Sequence, residues 1–313
     1  MKKSRLLLVF ILVLVVCLTL TACGSSDEPA HDNETATQTT AFAGKYVVDT
    51  QYLIDKIGDD GVTIVDARGP EAAAKGTIKG AIAVNWQMFS DVNGKTGDAM
   101  WGTLLPAAAM NTALNNAGLS PKNEIIVFGA VQNGWGDEGR IVWTLVAAGY
   151  DNVKMVDGGY DKLVADGATK ADAPAEYTPV TDNNITALDE SHDINTDALK
   201  TNYDSYKIID VRADEEYNGE TLYGEAKGGH LPGAIHLKYT DLFNSDGTLK
   251  SNADIDAMFT DAGISKSDTI VTYCTAGIRS AYMQLILEMC GYEKTFNYDE
   301  SYYRWCNVND VEK

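Results

Sequence analysis

Past residue 44 the chain alternates between two hydrophobic rhythms: apolar positions at helical spacing, and short continuous apolar runs rich in β-branched residues. The order of the rhythms repeats. VVDTQYLIDKIGDDGVTIVDARGPE (47–71) runs parallel to INTDALKTNYDSYKIIDVRADEE (194–216), and each predicts a capped short amphipathic helix followed by a buried strand ending in Asp and Arg. GTIKGAIAVNW (76–86) and GHLPGAIHLKY (229–239) each predict a Gly-rich turn entering an apolar strand. LLPAAAMNTALNNAGLSPKNEIIVFG (104–129) and LKSNADIDAMFTDAGISKSDTIVTYC (249–274) each predict a helix closed by Ala-Gly, a polar loop and a buried strand. RIVWTLVAAGYDNVKMVDGGY (140–160) and RSAYMQLILEMCGYEKTFNYDES (279–301) each predict a helix ending at Gly-Tyr, then another strand.

Strands alternating with helices of this length predict an α/β fold, in which each half is a mainly parallel sheet flanked by helices on both faces. The pattern divides the chain into a domain over 45–172, a polar linker over 173–192 that joins rather than packs, and a second domain over 193–313. The two domains are expected to dock on each other. Before them lies a different pattern. Lys2, Lys3 and Arg5 precede an apolar run from Leu6 to Leu20, and small residues lead to Cys23, so 1–22 reads as an export signal. LTAC (20–23) resembles the bacterial lipobox, which implies acylation of Cys23 and a protein held by lipid on the outer side of the cell membrane. The stretch 23–44 is polar without periodicity and reads as a flexible tether.

The net charge of −20 changes the list of partners. Such a chain repels phosphate backbones and anionic headgroups, so nucleic acid is excluded and membrane contact is left to the N-terminal lipid. A small anion would be repelled too, unless positive charge is gathered locally. Five cysteines are present. Cys17 leaves with the signal and Cys23 is the lipidation site. Cys290 and Cys306 could pair outside the cytosol, which leaves Cys274 as an odd and potentially reactive thiol.

Cys274 stands at the carboxyl end of an apolar strand, where open α/β sheets bind ligands. The N–H groups of Thr275, Ala276, Gly277, Ile278 and Arg279 lie between strand and helix, so a curled loop could aim them at one point and cradle an anion. The start of the helix expected over 279–289 adds its positive dipole end. Gly277 suits a positive φ, and Arg279 could anchor the anionic end of a substrate.

IIDVRADEEYNG, GGHLPGAIHL, LKSNADIDAMFTDAGI and VTYCTAGIRS, in this order, resemble the hallmarks of the rhodanese sulfurtransferases, and the two-copy layout resembles the two-domain enzymes of that family. The resemblance implies a catalytic C-terminal domain and an N-terminal one without a nucleophile; Gly129 takes the place of Cys274 there. It implies transfer of a sulfane sulfur from a donor such as thiosulfate or 3-mercaptopyruvate, through a Cys274 persulfide, to a thiol or cyanide. Neither metal nor organic cofactor is called for. A non-enzymatic persulfide- or sulfide-binding module is the alternative. A phosphatase or arsenate reductase is disfavoured, because only four residues separate Cys274 from Arg279 where those enzymes place five.

Two positions depart from the family pattern: Glu216 stands where the family has a second arginine, and Glu300 where it has a glycine. The pairs Asp66 with Arg68 and Asp210 with Arg212 occur in both halves, so they read as structural braces rather than catalytic groups. His230, whose counterpart is Thr77, reads as a turn residue. Trp135, Asp137 and Glu138 are expected as solvated loop residues that could narrow the cleft.

Overall fold

The computed structural model describes residues 41–313. The expected signal over 1–22, the lipidation site Cys23 and most of the tether lie outside the described residues.

The N-terminal half carries strands β1 (Val47–Val48), β2 (Val62–Asp66), β3 (Thr77–Ile78), β4 (Ile82–Ala83), β5 (Glu124–Phe128), β6 (Val153–Val156) and β7 (Lys170–Ala171). Its helices are α1 (Thr50–Asp55), α2 (Pro70–Ala73), α3 (Ala107–Asn116), α4 (Asp137–Ala147) and α5 (Gly159–Ala165). The C-terminal half repeats the script with β8 (Tyr206–Asp210), β9 (Ile235–His236), β10 (Thr269–Tyr273) and β11 (Thr295–Asn297). Its helices are α6 (Thr196–Thr201), α7 (Asp214–Tyr217), α8 (Asn252–Asp261), α9 (Ile278–Met289) and α10 (Ser301–Val308). The first sheet has the order β1-β6-β5-β2-β4 and the second β11-β10-β8-β9, and every pairing in both is parallel. The short strands β3 and β7 form a separate antiparallel pair. The helices match one to one across the halves, α1 with α6 through α5 with α10, as a tandem duplication requires.

Local chemistry explains the boundaries. Asp49 caps α1 by accepting from the Tyr52 N–H, and Asn195 caps α6 by accepting from the Ala198 N–H. The strands β5 and β10 are buried without alternation because helices cover both faces of each sheet.

The halves share one core. α4 is buried along nearly its whole length, and so is α9 up to Leu287. Both are apolar around most of their circumference, which is what a helix packed on all sides requires. They pack against each other, and Gly139 of α4 makes the approach possible. A Cβ there would lie 2.3 Å from Cδ2 of Tyr282. Ile141, Val142 and Leu145 join Ala281, Leu285 and Ile286 in a single buried cluster. Docking is also polar: the Tyr239 hydroxyl donates to the Val131 carbonyl at 3.0 Å, and the Leu249 N–H to Asp157 at 2.7 Å.

Two expectations need correction. The segment 173–192 packs rather than merely links. Its Asn183 is buried, and its amide donates to the Leu119 carbonyl at 2.7 Å and to Asn115 at 2.9 Å, while the Val180 N–H donates to the Asn115 carbonyl. Polar composition misled because these polar groups satisfy backbone atoms of the domain instead of water. The end of the expected tether is likewise docked: Phe42 is buried, and the Ala43 N–H donates to Asn252. Asn183→Ala is expected to lower stability by about 1–3 kcal/mol, the cost of stranding a buried carbonyl. Urea denaturation checks this; an unchanged midpoint would mean that the segment is only a connector.

Candidate active site

In the second sheet the chain crosses from β8 to β9 on one side and to β10 on the other, so the carboxyl ends of β8 and β10 flank a topological switch point. Cys274 follows β10 there. It is buried, yet it forms part of the wall of a cavity of about 710 Å³ lying between the halves.

The loop 274–277 curls because its carbonyls are drawn outward. The Cys274 carbonyl accepts from the Ser301 hydroxyl at 3.0 Å and from the Tyr302 N–H at 3.1 Å, and the Thr275 carbonyl accepts from the Tyr303 N–H at 3.1 Å. The Gly277 carbonyl accepts from Arg140 Nη1, from the Asn297 amide and from the Ala281 N–H, each at 3.3 Å. With the oxygens held outside, the amides are left inside. Among the described residues no protein oxygen accepts from the N–H of any residue from Thr275 to Ser280. Gly277, with φ +82°, completes the curl as the N-cap of α9. Any Cβ there would lie 2.5 Å from Asp299 Oδ1, so only glycine fits.

Burial raises the cost of ionising Cys274, but the Arg279 charge, the N–H and hydroxyl of Ser280 and the N–H of Ala276 outweigh it and hold the thiol below its ordinary pKa. The Ser280 hydroxyl lies 3.6 Å from Sγ. A thiolate held by inward amides is nucleophilic near neutral pH. Burial pushes Cys290 the other way, up to about 11. Cys290 and Cys306 are both free thiols, so the disulfide that the sequence allowed is absent from the described residues.

Thr275, Ala276, Ile278 and Arg279 all line the cavity beside Cys274, with Gly277 setting the bend. The role expected of Arg279 does change. Both its terminal nitrogens donate to Glu216 at 2.8 Å, and its Nη2 donates also to the Thr275 hydroxyl at 2.9 Å. Burial opposes the Glu216 charge, but the pair with Arg279, the Thr275 hydroxyl and the Ala213 N–H hold its carboxyl below the usual range, so it stays ionised. Trp135 lies over the same guanidinium at 5.0 Å. Arg279 is thus a neutralised, clamped cation and not a free anchor for an anion.

The Asp-Arg pairs are braces. Arg212 is bound to Asp210 and to the Gly229 carbonyl and lies 3.9 Å from the Tyr302 ring centre; Arg68 is bound to Asp66 and to the Gly76 carbonyl and lies 3.5 Å from that of Tyr160. His230 is stacked on Tyr217 at 3.8 Å, away from the cavity. Glu300 turns away and accepts from the Thr196 N–H; the left-handed backbone falls one residue later, at Ser301 with φ +55°.

The N-terminal half contributes more than a wall. Trp86, Trp101 and Trp135 line the cavity, three of the chain's five tryptophans, together with Tyr223 and Tyr303 from the other half. The acidic pair expected to be solvated is desolvated instead. Burial raises Asp137 to about 6 and Glu138 to about 8, and neither oxygen of Glu138 has a hydrogen-bond partner. The left-handed caps Gly136 and Gly277 correspond, so Glu138, not Arg140, occupies the place of Arg279. Arg140 reaches across to the other half. It pairs with buried Asp299 and donates also to the carbonyls of Gly277 and Gly102.

A rhodanese-like domain family model matches residues 49–166 and 195–308. The chain is 24% identical to a thiosulfate sulfurtransferase of Corynebacterium glutamicum, over 84% of this chain and 88% of that protein. It is 27% identical to the sulfur carrier protein TtuD of Thermus thermophilus, over 75% and 84% respectively. Among solved structures, an anaerobic ergothioneine biosynthesis enzyme from Chlorobium limicola superposes with a TM-score of 0.76 at 18% identity, covering 86% of this chain and 70% of that one.

Proposed function

The chain belongs to the rhodanese-like domain family, and from that membership we propose that it is a sulfurtransferase whose Cys274 carries sulfur as a persulfide. The Cys274 thiolate attacks the outer sulfur of a sulfane donor. With thiosulfate the S–S bond breaks, both electrons leave with sulfite, and the outer sulfur stays on Cys274 as an anionic persulfide. An acceptor thiolate then attacks that outer sulfur, and Cys274 departs as thiolate, so the enzyme returns to its starting state.

One observation carries this reading: the loop carbonyls of residues 274, 275 and 277 are all engaged outside the curl, which turns the neighbouring amides toward the sulfur. Donors fixed before the reaction stabilise the thiolate and the persulfide alike without reorganising. Relatives that are thiosulfate sulfurtransferases support the reaction class. The short spacing to Arg279, and its pairing with Glu216, leave no free cation for a phosphate in the loop.

Export belongs to the same proposal. Acylation at Cys23 would hold the two domains outside the cell membrane, and a diacylated N-terminal peptide in mass spectrometry is the expected sign; an unprocessed Met1 would remove it.

Inorganic polysulfide is the probe for the chemistry. Intact protein treated with it is expected to gain the mass of one sulfur atom, and peptide mapping to locate it on Cys274 rather than Cys290 or Cys306. Uptake that is absent, or confined to the other two cysteines, would sink the assignment.

A further inference from the structure

The cavity at Cys274 is far larger than an inorganic sulfur anion needs, and its volume of about 710 Å³ falls in the range of sites for organic molecules. Its walls are specific. The Trp86 and Trp101 rings lie 6.2 Å apart at 75°, and Trp101 and Tyr303 lie 5.3 Å apart at 89°. Three rings set nearly at right angles to their neighbours form a corner, and the two tryptophans are partly exposed to the cavity. Trp135 is not available for the same purpose, because Arg279 already lies over it.

The charge around this corner is negative. Glu71 and Asp137 line the cavity without a salt-bridge partner among the described residues, whereas the two arginines in the wall are matched: Arg68 by Asp66 and Arg279 by Glu216. A thiolate or persulfide on Cys274 adds another negative charge. An aromatic corner in a negative field favours an organic cation, because the ring faces attract an ammonium and the carboxylates supply its counter-charge. It disfavours sulfonates and carboxylates.

We propose that the acceptor is a small organic thiol bearing a quaternary or protonated ammonium group, held in the corner formed by Trp86, Trp101 and Tyr303. This rests on the sulfurtransferase reading and adds the identity of the substrate class. In the transfer, the acceptor thiolate forms the new S–S bond as the bond between Cys274 and the outer sulfur breaks. The electron pair returns to Cys274, and the outer sulfur leaves as the anionic end of the acceptor's new persulfide, so charge balances and no outside oxidant is needed.

A ligand without sulfur separates the two readings. Choline, titrated into the full chain by calorimetry, is expected to bind saturably and at least about tenfold more tightly than its neutral isostere 3,3-dimethyl-1-butanol, a factor within the range of a desolvated cation–π contact. Trp101→Leu and Trp86→Leu should each erase that preference while circular dichroism stays unchanged. Equal binding of the two ligands, or no saturable choline binding, overturns the proposal whatever the fate of the sulfur chemistry. On persulfide-loaded protein, thiocholine should be consumed roughly tenfold faster per thiolate than 2-mercaptoethanol, and 3-mercaptopropionate slowest. Glu216→Gln, which frees the Arg279 charge, should narrow the gap between the cationic and anionic thiols. Preference for the anionic thiol in the unsubstituted protein overturns the proposal even where Cys274 loads normally.

Discussion

Cys274→Ser is expected to leave the fold intact and reduce sulfur transfer roughly a thousandfold or more, to the background rate, because the nucleophile is the one atom for which the loop has no substitute. Serine nearly matches the shape of cysteine, and its neighbours, the Ser301 hydroxyl on the Cys274 N–H and the Tyr302 N–H on its carbonyl, bind backbone atoms that the substitution does not touch. What changes is the charge. A thiol held below its usual pKa offers more thiolate to the donor at neutral pH than an ordinary thiol, and a serine hydroxyl offers none. The other free cysteines cannot rescue the reaction, since Cys290 is pushed up to about 11 and lies in the core. The same shift fixes the sign of the pH profile: the rate of persulfide loading should rise with pH as Cys274 ionises, and level off below the ordinary thiol range. Stopped-flow loading across pH, with thermal melting of the variant as the control, checks both parts. Residual turnover near the native rate, or a loading limb at the ordinary thiol pKa, would contradict the cradle.

The features legible in the sequence were those written locally. The duplication showed in the repeated order of helix and strand patterns, and all five helix pairs match it. Cys274 was marked by an apolar strand ending at a cysteine before Gly277. The features that escaped join residues far apart in the chain. Glu216 was visible as an acid where the family has an arginine, but only folding brings α7 under α9 and turns that difference into a neutralised Arg279. Ser301, which braces both the N–H and the carbonyl of Cys274, lies 27 residues downstream with a backbone conformation rare outside glycine. Trp86 opens a short 3₁₀ helix after the apolar strand pattern and Trp101 lies in a turn, so nothing local announced that the two rings would meet Tyr303 across the cavity. The alignment of Arg140 with Arg279 was off by two positions. The loop inserted after Gly129 hides the true register, which the two left-handed caps reveal.

That misplaced arginine defines the second large effect. Arg140 is fully buried, pairs with Asp299, and binds the carbonyls of Gly277 and Gly102, so one side chain from the N-terminal half ties down the Cys274 loop of the other. Its surroundings are short of positive charge. Burial raises Asp299, and burial and the Asp299 charge raise Asp193 beside it, while the Arg140 charge opposes both shifts. Arg140→Met would leave Asp299 buried without its cation, and the expected loss is about 3–5 kcal/mol. Asp299→Asn in the same chain should recover much of that loss, because the stranded charge is gone and the pair's desolvation is no longer required. A double-mutant cycle by urea denaturation measures the coupling, and additive losses would mean that the two groups are not a pair. Restored stability need not restore sulfur transfer: without Arg140 the Gly277 carbonyl keeps only the Asn297 amide and the Ala281 N–H, so the curl is less fixed. A stable double variant with slowed persulfide loading is therefore the expected result, and it would assign Arg140 a positioning role that the docking of the two halves supplies.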